Sequence, residues 1–307
     1  MKDLTQFEIG CQTILMTMQG SGDGSFQLDR AIIVKAVTAQ AEMLKLTFGT
    51  EISDDEVELT VAKLEERFDI NMTLGVAFEA EDYVPWLEEK RGDIDWFYWE
   101  RYKRHLVSSG FPPKVVTQLD LVTDTIIDHL ENPEKEGDWS RKGLVVGHVQ
   151  SGKTANYTGV INKAADAGYK VIIVLAGILS ALRSQTQERM DEGFIGVDSS
   201  SQLDNIPLIE RLVGVGKYSH KHVPVSFTTT VHDFKNNIAQ QIRSGIGNFN
   251  QPVVLVIKKN KAILQNLINW LKNNNLNLDQ FPFLLVDDEA DHASINTNKE
   301  DTDATAI

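Results

Sequence analysis

A chain of 307 residues, 42% hydrophobic and 24% charged, can bury a substantial core and is not wholly disordered. Its one cysteine, Cys11, excludes an intramolecular disulfide and fits a reducing cytoplasm. The N-terminus lacks a basic stretch followed by an apolar one, and no apolar run approaches bilayer length. A soluble, cytoplasmic protein without membrane contact is therefore expected. The net charge of -14 argues against a nucleic-acid partner, but it is unevenly placed. Residues 1–140 hold 13 basic and 28 acidic side chains, a balance of -15, whereas 141–307 hold 17 and 16, a balance of +1. Charge thus neither supports nor excludes DNA binding by the second half.

In chain order, the first part reads as helical. A helix is expected over about 28–47. Ser53-Asp54-Asp55-Glu56 is a capping-box pattern, and Val57, Val61, Leu64 and Phe68 then recur at helical spacing. Further helices are expected at 94–109 and from Pro112-Pro113 to about His129. Trp96, Phe97, Tyr98, Trp99 and Tyr102 form an aromatic cluster, better explained by packing against the next domain than by base stacking. Glu88 and Lys90 hold a fragment of a nuclease pattern without a partner aspartate, and read as a surface pair. Residues 132–139, polar with Pro and Gly, look like a linker.

After Trp139 the rhythm changes. Apolar runs at Leu144–Val146, Val171–Leu175, Val223–Phe227, Val253–Ile257 and Phe283–Val286 alternate with amphipathic stretches at 153–167, 179–190, 231–243 and 260–274. Such alternation predicts an α/β fold with a parallel sheet covered by helices on both faces. Two units are expected: an acidic, mainly helical N-terminal domain over 1–135, and a P-loop ATPase lobe over 136–307.

Gly147-His148-Val149-Gln150-Ser151-Gly152-Lys153-Thr154 satisfies the P-loop pattern, with a strand expected before it and a helix from near Gly152. Glycines let the backbone curl until successive N–H groups converge on a phosphate, and the helix turns its positive end toward the same anion. Gln150 and Ser151 lie in that loop, Lys153 is expected to reach the β- and γ-phosphates of ATP, and Thr154 to ligate Mg²⁺. Downstream, Phe283–Val286 runs into Asp287-Asp288-Glu289-Ala290-Asp291-His292. Carboxylates at the C-terminal end of a buried parallel strand belong beside a nucleotide. Asp288 is placed to hold Mg²⁺ through its water shell, and Glu289 to orient or deprotonate the attacking water. The role of Asp287 stays open, and His292 reads as a structural hydrogen-bond partner.

Other features are weaker. Arg183, Gln185, Gln187 and Arg189 are reachable candidates for DNA phosphates, although a solvated helix face explains them more simply. Thr228-Thr229-Thr230 follows a strand and is explained by strand propensity and capping; Lys258 and Lys259 are better placed for a phosphate. Asn298-Lys299-x-Asp301 mimics a guanine-recognition string, but no apolar strand precedes it.

The stretch GLVVGHVQSGKTANYTGVINKAADAGYKVIIVLAGILSALRSQTQERMDEGFIG, together with FPFLLVDDEADHASINT, closely resembles the bacterial Z-one domain family. Tyr98-Trp99-Glu100-Arg101-Tyr102 extends the likeness upstream. Members are large proteins commonly labelled endonucleases, with a superfamily-two helicase-like ATPase module. The resemblance implies a RecA-like lobe in an ATP-driven DNA-processing enzyme found near restriction or phage-defence genes. Gly147, Gly152, Lys153 and Thr154 match motif I, Asp288, Glu289, Ala290 and Asp291 match motif II, and Leu182 to Arg189 match motif Ia more loosely. The chain reaches Ile307 before a Ser/Thr-Ala-Thr motif or a second lobe, so it reads as an N-terminal fragment. An arginine finger is worth roughly three to five orders of magnitude in turnover, so weak ATP binding and slow hydrolysis are expected of it alone. Protein partners are expected through the acidic N-terminal domain, and no residue here supports a nuclease.

Overall fold

The computed structural model describes residues 6–20, 30–68, 81–146, 152–201, 206–235, 250–273, 281–288 and 290. Three helices come first: α1 (Gln6–Gly20), α2 (Arg30–Phe48) and α3 (Asp54–Phe68). They bury Phe7, Cys11, Leu15, Ile33, Val37, Val61 and Leu64 in a core of their own. The capping box forms as the sequence suggests. Glu56 accepts from the Ser53 amide at 3.0 Å and from its hydroxyl at 2.9 Å, and the Glu56 amide donates back to Ser53 Oγ at 3.3 Å.

The short α4 (Leu87–Lys90) follows, then α5 (Phe97–Ser108) and α6 (Pro113–His129). Pro113 opens α6 where its missing N–H costs nothing. Lys90 pairs with Glu134 at 2.8 Å and Glu88 with Arg91 at 3.5 Å, so that charged stretch is surface pairing. Then come α7 (Lys153–Ala167), β1 (Val171–Ala176), α8 (Ser180–Met190), a π-helical turn at Asp191–Ile195, β2 (Val225–Ser226), β3 (Val253–Lys258), α9 (Lys261–Asn273) and β4 (Phe283–Asp287).

The four strands form one all-parallel sheet in the order β2-β3-β1-β4. Val171 lies opposite both Val253 and Phe283, and Leu175 opposite both Ile257 and Asp287, so the C-terminal strand ends share one edge. Alternation then sorts the side chains. Ile172, Val174, Val254, Val256 and Leu284 face α4–α7 and the π-turn, while Ile173, Val253, Leu255 and Ile257 face Leu267 and Trp270 of α9. The fold is thus mixed α/β with a parallel sheet, as the alternating runs predict.

Helix α7 is enclosed by the sheet on one side and α5 and α6 on the other. Gly159 permits the approach: a Cβ there would stand 3.0 Å from Thr123 Cγ2 and 3.3 Å from a Trp99 ring carbon. Lys163 is 1% exposed; its Nζ salt-bridges Asp120 and Asp124 of α6 and lies 4.4 Å from the Trp99 ring centre. Asp166, in the last turn of α7, accepts the Tyr98 and Trp99 amides at 2.8 Å each, satisfying donors at the start of α5. Burial pushes the Asp166 carboxyl up to about 8, against those two bonds. The aromatic cluster is therefore packing surface: Tyr98, Trp99 and Tyr102 are buried against α7 and its surroundings.

Some expected elements differ. Leu144–Val146 is not a strand; the three residues are unpaired and 80%, 61% and 84% exposed. A strand needs a ladder partner, and this segment has none among the described residues. β4 likewise pairs only with β1 there, leaving Leu285 60% exposed. The run Val223–Phe227 shortens to Val225–Ser226, and beyond it the Thr228 hydroxyl accepts the Val256 amide at 2.8 Å in place of a backbone carbonyl. Of the expected helix at 231–243, residues 231–235 are non-helical and 236–243 lie outside the described residues. No helix among the described residues is long and apolar enough to cross a membrane.

Two outcomes follow from the α5–α6–α7 joint. Lys163→Ala should destabilise the protein by about 3 kcal/mol in urea unfolding, at the low end for a broken buried pair because Asp120 and Asp124 keep some water. Asp166 binds its proton more tightly folded than unfolded, so its contribution to stability falls as pH rises from about 4 to about 8. Asp166→Asn, which cannot ionise, should gain on wild type across that window; an unchanged difference in urea midpoint would contradict the raised pKa.

Candidate functional site

At the entry to α7, Gly152 adopts φ 68° and ψ 30°, a left-handed conformation that favours glycine. Its carbonyl accepts the Asn156 amide at 2.9 Å, and no side chain caps the helix. The first-turn amides of a 15-residue helix therefore stand without a side-chain cap, with Lys153 exposed and Thr154 half-buried beside them.

The second element arrives by sheet register. The Asp288 amide donates to the Leu175 carbonyl at 3.0 Å, extending the β4–β1 ladder by one residue and fixing Asp288 at the C-terminal edge. Asp287, just before it, is committed elsewhere: it pairs at 2.6 Å with Lys259, which is buried. That pairing answers the open role of Asp287 and takes Lys259 off the surface. Lys258 Nζ donates to Ser180 Oγ at 3.1 Å.

Tyr157 ties the two elements together. It lies three residues beyond Thr154, on the same face of α7. Its hydroxyl is buried and meets no hydrogen-bond partner at normal geometry among the described residues, although Thr154 and Thr186 are beside it. Burial first, and then the charge of Asp288, push the phenol up to about 12, against a smaller pull from Arg189. Arg189, on the last turn of α8, donates from Nη1 to Thr154 Oγ1 at 2.6 Å. Thr154, Tyr157, Arg189 and Asp288 thus gather from α7, α8 and the end of β4.

This arrangement fits a phosphate-bearing ligand with a hard cation. The uncapped helix start suits an anion, Thr154 and Asp288 could supply oxygen ligands, and the buried Tyr157 hydroxyl, without a partner at normal geometry among the described residues, lies beside them. Among the described residues no three His, Cys, Asp or Glu side chains gather as a metal cluster. Gly147, Gln150, Ser151, Glu289, Asp291, His292 and the 297–301 string lie outside the described residues.

The candidate DNA contacts on α8 are mostly occupied. Arg183, 3% exposed, donates to the Thr229 carbonyl at 2.9 Å and the Thr230 carbonyl at 2.8 Å. Gln187 is fully buried, donating to Asp191 at 2.9 Å and Ser226 at 3.2 Å and accepting from Thr228 at 2.7 Å. Thr228 and Thr229 are buried too, leaving Gln185 and Arg189 as the exposed members of the set. Tyr157 was not among the residues that sequence patterns single out; its spacing from Thr154 is the signal that points to it. No family model, curated protein or solved structure matches the chain.

An unsatisfied buried hydroxyl costs about 1–3 kcal/mol. Tyr157→Phe should therefore leave the ligand-free protein as stable as wild type or more so, by up to about 1 kcal/mol in urea unfolding. A clear loss of stability would show that the hydroxyl is bonded in solution.

Proposed function

We propose that this chain binds ATP with Mg²⁺ at the start of α7 and hydrolyses it, as the first RecA-like lobe of a helicase- or translocase-like DNA-processing protein of the restriction or phage-defence kind. One observation carries this: an uncapped helix N-terminus bearing Lys153 and Thr154 meets the strand-end carboxylate Asp288 at the C-terminal edge of a parallel sheet. Ligands of open parallel sheets bind at that edge. The resemblance to the Z-one domain family supports the same assignment, with 136–307 as the ATPase lobe and 1–135 as the acidic N-terminal domain.

When bound, Mg²⁺ supplies charge neutralisation on the phosphate oxygens. The chain's own groups divide the remaining work. First-turn amides of α7 and the Lys153 ammonium hold phosphate oxygens by charge and dipole. The Thr154 hydroxyl and the Asp288 carboxylate offer oxygens to the cation, Asp288 through its water shell. Glu289, next in sequence, is the group to accept a proton from the attacking water. Lys259 holds Asp287 in an ion pair, which leaves Asp288 as the strand-end carboxylate beside Tyr157.

The burial of Arg183 and Gln187 favours an alternative, a nucleotide-gated protein-interaction module that does not translocate DNA, since α8 keeps few donors for phosphates. DNA-stimulated hydrolysis separates the two: stimulation supports the translocase, and turnover indifferent to DNA, with nucleotide-dependent partner binding, supports the module.

Calorimetric titration with Mg²⁺ and a non-hydrolysable ATP analogue tests the site itself. Lys153→Ala should weaken binding by about 100-fold, the weight of one or two charge-assisted hydrogen bonds. Equal binding by the variant, or none by folded wild type, would overturn the assignment.

A further inference from the structure

We infer that Arg189 is a cation-responsive latch, whose guanidinium holds the Thr154 hydroxyl until a divalent cation takes it. The inference rests on the nucleotide site proposed above and concerns how that site is regulated. Its basis is the 2.6 Å bond from Arg189 Nη1 to Thr154 Oγ1, made across 35 residues between α8 and α7. Thr154 is the residue whose hydroxyl oxygen would serve the metal, and a guanidinium is a donor with no acceptor capacity. It takes one of the hydroxyl's two lone pairs, and its charge repels a second cation at the same oxygen. The two therefore compete for one atom.

The surroundings reinforce the competition. Both Asp288 and Arg189 act electrostatically on the Tyr157 phenol, so the guanidinium sits in the neighbourhood of the carboxylate that would hold the metal's water shell.

The latch has somewhere to transmit. Two turns back on α8, Arg183 is clamped to the Thr229 and Thr230 carbonyls, and Ser184 donates to Thr230 at 2.6 Å. One turn before the C-terminus, Gln187 joins Thr228, Ser226 and Asp191 in a closed buried network. Helix α8 and the segment after β2 therefore form one rigid unit, tied to α7 at its exposed end by Arg189. Loss of that bond loosens the unit from the start of α7 without disturbing the unit's own bonds.

Magnesium titrations at fixed ATP analogue, with wild type, Arg189→Gln and Arg189→Lys in the full chain, test this. Arg189 is exposed, so the variants should fold, and circular dichroism checks it. Expected for Arg189→Gln is a fall of about tenfold in half-saturating Mg²⁺, the weight of one charge-assisted hydrogen bond. Arg189→Lys should fall between the two. An unchanged magnesium dependence would overturn the latch. Weaker magnesium–nucleotide binding by Arg189→Gln would overturn it also, marking Arg189 instead as a phosphate ligand. If wild type binds no nucleotide at all, the proposed site itself fails and the latch with it, which the wild-type titration alone reveals.

Discussion

The burial of α7 is the constraint on which the rest of this structure depends. Its residues from Thr158 to Ala165 are buried, so every element around it must satisfy or cover it. Gly159 sets the closest approach to α5 and α6. Asn162 donates to the Thr158 carbonyl at 2.8 Å and to the Gly193 carbonyl at 3.1 Å, tying the helix to the π-turn. Lys163 then joins it by charge to α6, and Asp166 by two accepted amide hydrogen bonds to the start of α5. A helix held at so many points along its length presents its N-terminus in one fixed place, and that place is beside the end of β4.

The buried charges follow one rule: each is bonded to groups that bring two elements together. Arg101 of α5 donates to the carbonyls of Phe194 at 2.5 Å and Ser219 at 2.9 Å, pinning the segment after α8. Burial pulls that guanidinium down to about 10, and the rings of Phe97 and Tyr98 lie 5.1 and 5.3 Å from it. Asp191 accepts from Gln187 and from the amide and hydroxyl of Ser199, while burial raises its carboxyl to about 7. Where that segment folds back, Gly196 and Gly216 touch so closely that a Cβ on Gly216 would overlap the Gly196 carbonyl. These contacts are architecture, with polar groups spent on holding a neighbour.

The site differs in kind. Among the described residues the Tyr157 hydroxyl meets no partner at normal geometry, the start of α7 has no side-chain cap, and the Thr154 hydroxyl is held by an arginine from another helix. Polar groups left incompletely satisfied beside a helix start and a strand-end carboxylate are what a ligand-binding site offers, because a ligand can complete them.

By itself the sequence determined the element types and most of their limits. Apolar runs at Val171–Leu175, Val253–Ile257 and Phe283–Val286 became strands because they are apolar on both faces, and the helices from Pro113 and Lys153 begin where proline and glycine place them. It also marked Lys153, Thr154 and Asp288, since a glycine-led helix start and a strand-end carboxylate are local patterns. Only the tertiary structure decided which polar residues are spent. Arg183, Gln187 and Lys259 look like surface residues in one dimension, yet their partners, Thr229, Thr228 and Asp287, lie 28 to 46 residues away. The same holds for the run 144–146, whose apolar character reads as a strand but whose pairing depends on a neighbour that local sequence cannot supply. Hydrophobic periodicity is a property of the chain; satisfaction of a hydrogen bond is a property of what folds against it.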